Sequence, residues 1–304
     1  MTGGCGDGAE YRGDNAGGGA DMRVESVGGG AEYRGDSALS SEAIRSGLLP
    51  EYKQTVIIVE RIAASTNDTA KSLAQRGAAH GTTVVAEGQT AGRGRYARSF
   101  HSPAGAGLYM SAALRPRLAA AETPLITIMA ALSVCGAVRA LTGLSPRIKW
   151  VNDILLDGKK FCGILTEAAF GAQGGGAASV VTGIGVNVSV RAEDFPAGLR
   201  GAATSLYPDG RARVSRNALV AAILNRLFRY CDGCGGAGRA FMDEYRALSC
   251  VLGKEVTYAR GGESGTGVAT GIDDRGRLLV EKSGSGGTLA LDSGEIGVSV
   301  KVNS

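Results

Sequence analysis

Histidine is nearly absent from this chain, with only His80 and His101 among 304 residues. A zinc centre is therefore poorly supplied. The one C-x-x-C, Cys231 and Cys234, lacks the two further ligands that a tetrahedral site takes. Cysteines stand at 5, 135, 162, 231, 234 and 250 and form no regular framework. A chain of this length folds without disulfides, so they read as reduced thiols of a cytoplasmic protein. Blocks of five or six like charges are missing, and a net charge of +4 makes no electrostatic case for nucleic acid. No basic segment followed by an apolar run opens the chain, so no signal peptide is visible. The longest apolar stretch, Leu125 to Leu141, is interrupted by Thr127, Ser133, Gly136 and Arg139. It is too short and too polar for a membrane span. Thr123 before Pro124 is a good N-cap and first helical position, which predicts a buried helix. Neither nucleic acid nor a membrane is expected as a partner.

What the chain has in excess is glycine, 49 residues, of which twelve fall in the first 36. Residues 1 to 38 are low-complexity, with GAEYRGD at Gly8–Asp14 and again at Gly30–Asp36. Two copies make no solenoid and carry too few apolar residues for a core, so a disordered tail is expected. Helices are predicted over Ser41–Leu48, Thr69–Arg76, Pro124–Leu141, Arg216–Tyr230 and Gly238–Leu248. Strands are predicted over Thr55–Glu60, Thr82–Glu87, Gly107–Leu114, Ile148–Leu156, Gly163–Ala168 and Ser179–Val190. The strands cluster instead of alternating with helices. That points to an α+β domain over residues 40 to 248, with a mixed or mostly antiparallel sheet backed by helices. From Gly253 onward the texture is short strands only: Lys254–Ala259, Gly265–Asp273, Arg277–Glu281 and Glu295–Val302. Residues 249 to 304 read as a small SH3-like β-barrel.

Four constellations carry chemistry. In Gln89-Thr90-Ala91-Gly92-Arg93-Gly94-Arg95-Tyr96-Ala97-Arg98-Ser99-Phe100, three arginines and two glycines follow a strand, and no carboxylate occurs between Gln89 and Gly107. Glycine lets backbone N–H groups approach an anion, and arginine supplies cationic donors. A flexible basic surface loop would look the same. Lys149-Trp150-Val151-Asn152-Asp153-Ile154 sets a lysine beside the only tryptophan. Burying an unpaired ammonium costs several kcal/mol, so either a ligand anion meets Lys149 or its head reaches water from the strand end. Asn152 and Asp153 order the turn or orient that lysine. Gly183-Ile184-Gly185-Val186-Asn187 leaves one strand face flat for a ring or another backbone, and the Asn187 amide is suited to an adenine edge. Ser65-Thr66-Asn67 opens a helix, either as a simple cap or as a seat for a polar head group.

Taken in order, S-T-N, then Q-x-x-G-R-G-R-x-x-R-x-F, then K-W-x-N-D-I with K-K-x-x-G-I-L-x-E (Lys159 to Glu167), then G-I-G-x-N-V and A-T-S-L (Ala203 to Leu206), the chain resembles the biotin–protein ligase family from about residue 40 to 304. It departs at Val151, where proline is usual, at Phe100, often tryptophan, and at Tyr96, commonly basic. The resemblance implies a catalytic domain like that of class II aminoacyl-tRNA synthetases followed by the SH3-like barrel. The tail has no helix-turn-helix pattern, so the monofunctional type is expected.

The implied reaction is activation of biotin by ATP with Mg²⁺, then transfer to a lysine of a biotin carboxyl carrier domain. Two anions must meet in the first step, which calls for a fixed cation between them. Lys149 is the expected bridge between carboxylate and α-phosphate, and Arg95 the expected loop residue at that phosphate. Ser65, Thr66, Asn67, Gln89, Arg93, Gly94, Arg95 and Lys149 are assigned to biotin. Arg93, Arg95, Arg98, Lys149, Asn152 and Asn187 are assigned to ATP and the adenylate. No protein metal ligand is assigned. The competing readings are a lipoate–protein ligase and a non-catalytic biotin- or nucleotide-binding regulatory module. A homodimer is compatible with an exposed sheet edge.

Overall fold

The computed structural model describes residues 38–116, 118–119, 122–169, 179–233, 239–260, 262–284 and 286–298. The expected disordered tail, apart from its last residue, lies outside them, as do Cys5 and Cys234. A seven-stranded sheet holds β1 (Ile57–Ala63), β2 (Thr83–Gln89), β3 (Gly107–Leu114), β4 (Arg147–Lys149), β5 (Asp153–Leu156), β6 (Lys159–Ala169) and β7 (Ser179–Asn187) in the order β1-β2-β3-β7-β6-β5-β4. The pair β1–β2 is parallel and all the others are antiparallel, the mixed sheet that the clustered strands predict.

Side chains alternate across a strand, and the two faces of this sheet are covered differently. Val85, Ala112 and Val180 face the main core, under α3 (Pro124–Thr142) and α4 (Arg216–Gly233). Val84, Ala113 and Val181 face a small cluster with Ala70 and Ala74 of α2 (Thr66–Gln75). Helix α3 is apolar almost all round and ends at Gly143 in the left-handed conformation. A helix with no polar stripe must be enclosed, and α3 packs against α4, α5 (Ala240–Leu248) and the sheet. The short α1 (Ser41–Ser46) is capped by the Ser40 hydroxyl and lies on α4 and β1.

Several expectations need correction: β6 begins four residues before the predicted Gly163, β1 runs three residues past Glu60, and β7 stops three residues before Val190. Ile148–Leu156 is a hairpin and not one strand, because β4 and β5 pair antiparallel around the Trp150-Val151-Asn152 turn. Trp150 is buried, and its indole donates to Gly276 O (2.9 Å). The need to bury and pair that ring turns the chain, where an apolar run alone suggests continuity. Helix α2 begins at Thr66, three residues before the predicted start, with Ser65 as an extended N-cap that makes no side-chain capping bond.

Beyond α5 comes an antiparallel five-stranded sheet of SH3-like type, built from β8 (Glu255–Arg260), β9 (Glu263–Ile272), β10 (Leu278–Lys282), β11 (Thr288–Leu291) and β12 (Glu295–Val298) in the order β11-β10-β9-β8-β12. Strand β11 was not expected, since Thr288 is its only β-branched residue and a glycine-rich stretch precedes it. The β9–β10 turn docks on the first sheet's domain: Gly276 (φ 80°) sits so near Ile128 that a Cβ there would lie 2.5 Å from its Cδ1. Arg239 and Arg246 both bond Asp274 in the same turn.

Candidate active site

The face that carries α2 is open toward its N-terminus, and register decides what stands there. Tyr109 of β3 lies opposite Gly185 of β7, which lies opposite Gly163 of β6, then Asp153 of β5 and Lys149 of β4. Directly opposed residues share a face, so this row crosses five strands with two glycines in the middle. The next row is Ser111, Gly183 and Leu165. Three glycines in adjacent strands clear a floor that side chains would otherwise fill.

Two groups occupy that floor. The Phe100 ring lies over it, with Cε1 2.6 Å from an ideal Cβ on Gly185 and Cε2 3.3 Å from one on Gly163. Asn67 Oδ1 would stand 2.0 Å from a Cβ on Gly183. Asn67 is held there by the Ser111 hydroxyl, which donates to its Oδ1 (2.6 Å), and by its own donation to Glu167 Oε2 (3.0 Å). Ser65, Thr66 and Asn67 are all at least 96% buried. The first N–H of α2, on Thr66, donates to Gln89 Oε1 (2.9 Å), and Gln89 Nε2 donates to Ser102 Oγ (3.0 Å). Gln89 therefore ties the helix start to the base of the arginine–glycine segment.

That segment is a small hairpin. Phe100 N donates to Gly92 O (2.8 Å) and Gly94 N to Arg98 O (2.7 Å). Gly92 admits no side chain, because a Cβ would meet Phe100 O at 2.6 Å and Ser102 Oγ at 2.5 Å. The hairpin's arginines differ in their partners. Arg93 pairs with Asp68 and with Glu167 (2.9 Å). Burial alone would raise the Glu167 carboxyl, but the Asn67 amide and the Arg93 guanidinium overrule it and hold it below the ordinary range. Arg95 meets no carboxylate among the described residues. It donates to Asn152 Oδ1 (2.8 Å) and to Tyr96 Oη (3.1 Å).

Two cavities open on this face. The first, about 50 Å³, is lined by Ser65, Thr66, Asn67, Gln89 and Arg93 on one side and by the glycine floor on the other. The second, about 330 Å³, is lined by Lys149, Arg98, His101, Asp153, Asn187 and Phe195 among others. Gly94, Arg95, Phe100, Asn152 and Lys160 line both. The wall between them is thus a phenyl ring flanked by a guanidinium and an ammonium.

Most residues singled out from the sequence gather on these two cavities, with a division that sequence did not reveal. Lys149 lines the second cavity only, at the outer end of the cross-strand row. Lys160, to which the sequence reading gave no role, reaches the shared wall, with its Nζ 2.6 Å from Asp153 Oδ1. Its motif, K-K-x-x-G-I-L-x-E, was visible, but adjacent lysines carry no local signal of which one faces a cavity. Ser111 was also missed, although a hydroxyl inside the apolar strand GLYMSAAL is a signal once it is known to be buried. Asn187 donates to Thr204 O (3.0 Å), while its buried Oδ1 and the buried Nε2 of His101 have no partner among the described residues. An orphaned buried acceptor costs about 1–3 kcal/mol, so a ligand donor there is favoured. Among the described residues no group of three histidines, cysteines or carboxylates could hold a metal ion.

A model of the biotin/lipoate A/B protein ligase family matches residues 58–187, and one of the biotin protein ligase C terminal domain matches residues 251–298. The bifunctional ligase/repressor BirA of Bacillus spizizenii is 39% identical over 246 residues, 80% of this chain and 74% of that protein. The biotin--[acetyl-CoA-carboxylase] ligase of Paracoccus denitrificans is 32% identical over 241 residues, 76% of this chain and 96% of that protein. Among solved structures, biotin protein ligase from Aquifex aeolicus in complex with biotin and ATP superposes with a TM-score of 0.67 at 26% identity, covering 80% of this chain and 98% of that one.

Proposed function

The chain belongs to the biotin protein ligase family, and from that premise we propose that it activates biotin with ATP and transfers it to a lysine of a biotin carboxyl carrier domain. The observation that carries this reading is the wall shared by the two cavities, where Arg95 and Lys160 stand together. The first cavity, about 50 Å³, takes the ureido head of biotin among Ser65, Thr66, Asn67 and Gln89, with the tail and carboxylate directed toward the wall. The second takes ATP, with the α-phosphate at the same wall. The carboxylate oxygen attacks the α-phosphorus, and the bond to the β-phosphate breaks. Pyrophosphate leaves and biotinyl-5'-AMP remains. The ammonium and the guanidinium neutralise charge where the two anions meet.

Lys160 takes the bridging position, and Lys149 serves the nucleotide from the second cavity's wall. Arg93 closes the hairpin onto α2 and β6, because two carboxylates already neutralise it. Arg98 faces the phosphates. Asn187 Oδ1 accepts from the exocyclic amine of adenine. Asn152 holds Arg95 in place. Among the described residues Asp153 is the only carboxylate lining the second cavity, and Lys160 pairs with it. This lining would suit a Mg²⁺ borne mainly by the phosphates, for which Asp153 would be the carboxylate available. The ion would supply charge neutralisation on the polyphosphate. In the second half-reaction the carrier's lysine amine attacks the acyl carbonyl and AMP departs. No covalent enzyme intermediate is needed, and burial pushes the thiols of Cys135 and Cys162 up, away from reactivity. Two copies would pair along β1, an edge strand among the described residues, where Ile62 is exposed.

Biotin-dependent exchange of labelled pyrophosphate into ATP, with a carrier domain gaining the mass of one biotinyl group, is the expected result. Exchange driven by lipoate and not by biotin would favour the lipoate reading, and exchange with neither would leave a regulatory module. Gly183→Ala tests the first cavity. The new methyl displaces Asn67 and breaks its bonds to Ser111 and Glu167. The KM for biotin should rise at least about ten-fold, equivalent to about 1.4 kcal/mol, with the KM for ATP little changed. An unchanged biotin KM would remove Asn67 from the biotin seat.

A further inference from the structure

Side chains of neighbouring residues in an extended segment diverge, yet those of Arg95 and Tyr96 meet. The backbone makes this possible at a conformational cost. Tyr96 (φ 55°, ψ 42°) and Ala97 (φ 57°) are both left-handed, a region that residues with a Cβ rarely enter. Two such residues in succession turn the Tyr96 side chain back over its predecessor. The Arg95 guanidinium carbon then lies 4.9 Å from the ring centroid, Nη2 donates to the phenol (3.1 Å), and Nη1 donates to Asn152 Oδ1 (2.8 Å).

The chemistry of these partners separates Arg95 from Arg93 and Lys160. Arg93 is paired with two carboxylates, Asp68 and Glu167, and Lys160 with one, Asp153. Arg95 is held by a phenol, a π face and an amide, all neutral. The guanidinium is therefore fixed in place while keeping its whole charge. We propose that Tyr96 is a positioning residue for adenylation: its ring and hydroxyl hold Arg95 at the wall between the two cavities before the substrates arrive. This rests on the ligase reading above. A cation already in place needs no reorganisation as charge develops, whereas one sampling many rotamers must be ordered first. A carboxylate at position 96 would hold Arg95 equally well and cancel its charge, and a lysine would repel it. Tyrosine meets both requirements.

Biotin-dependent ATP–pyrophosphate exchange on the full chain tests the proposal. Tyr96→Ala should lower kcat about ten-fold, and Tyr96→Phe, which keeps the π face, about three-fold. On an Arg95→Ala background, Tyr96→Ala should change kcat less than two-fold, because its effect passes through Arg95. Transfer from pre-formed biotinyl-5'-AMP to the carrier domain should stay within two-fold of wild type. Amide exchange at Gly94 and Phe100 should be unaltered, which shows that the hairpin persists. Wild-type exchange in Tyr96→Ala, or an equal loss with and without Arg95, overturns the proposal and leaves the ligase assignment standing. Absence of biotin-dependent exchange in the wild-type protein removes the assignment itself and this inference with it.

Discussion

Lys160→Ala lowers biotin-dependent pyrophosphate exchange by two to three orders of magnitude and leaves the melting temperature within a few degrees of wild type. The kinetic loss follows from position. Lys160 shares the wall between the cavities with Arg95, and removing one preorganised group that stabilises developing charge costs about 10²–10³ in kcat. The small effect on stability follows from exposure. The Lys160 and Asp153 side chains are 36% and 27% exposed, and a pair so open to solvent contributes about 1 kcal/mol or less. Lys149→Ala gives the contrast. Lys149 reaches only the second cavity, so its loss should act mainly on the KM for ATP, by about ten-fold (about 1.4 kcal/mol). The reverse ranking, with Lys149→Ala abolishing adenylation and Lys160→Ala mild, would return the bridging role to Lys149. Half-reaction assays with each acid and nucleotide varied separately distinguish the two.

Arg216→Ala has the largest expected effect on stability. Arg216 lies on α4 with only 4% of its side chain exposed and pairs with Glu87 of β2 at 2.6 Å. The other oxygen of Glu87 accepts from Leu39 N (2.6 Å), so one carboxylate joins the helix layer, the sheet and the segment that enters α1. Removing the cation leaves a mostly buried carboxylate uncompensated, which costs about 3–5 kcal/mol. At about 2–4 °C per kcal/mol the melting temperature should fall by roughly 10 °C. Replacing both charges, Arg216→Met with Glu87→Gln, should recover much of the loss, because the amide still accepts from Leu39 and no charge stays buried. Thermal denaturation of the single and double variants checks this. A single variant as stable as wild type would show that the carboxylate finds another partner or a proton. Glu87 stands two residues before Gln89 on β2, so loss of this pair should also weaken biotin binding, through the strand that holds the helix start.

Much of this arrangement could be anticipated. Strand β3 matches its predicted limits, because GLYMSAAL is a compact run bounded by glycine and arginine–proline. Helix α3 differs by one residue, as its proline start and glycine stop are local signals. The motif residues Ser65 through Asn67, Gln89 and the 93–98 arginines do line the cavities. What local sequence does not encode is pairing across the sheet. The buried Trp150 in the β4–β5 turn donates to Gly276 O, 126 residues later in the chain. Whether Lys149 or Lys160 reaches the shared wall depends on register through β4, β5 and β6.

Local order in the chain therefore determined the element types, the mixed α+β class, the small all-β end and the kind of chemistry, since caps, turns and motif residues act within a few positions of one another. Tertiary structure alone decided which cations are neutralised and which stay available. Arg93 and Arg95 are two residues apart and look alike on paper. One meets two carboxylates from α2 and β6, and the other, among the described residues, meets an amide, a phenol and a ring. The physical reason is that electrostatic partnership depends on distances between strands and helices remote in sequence, which no local pattern encodes.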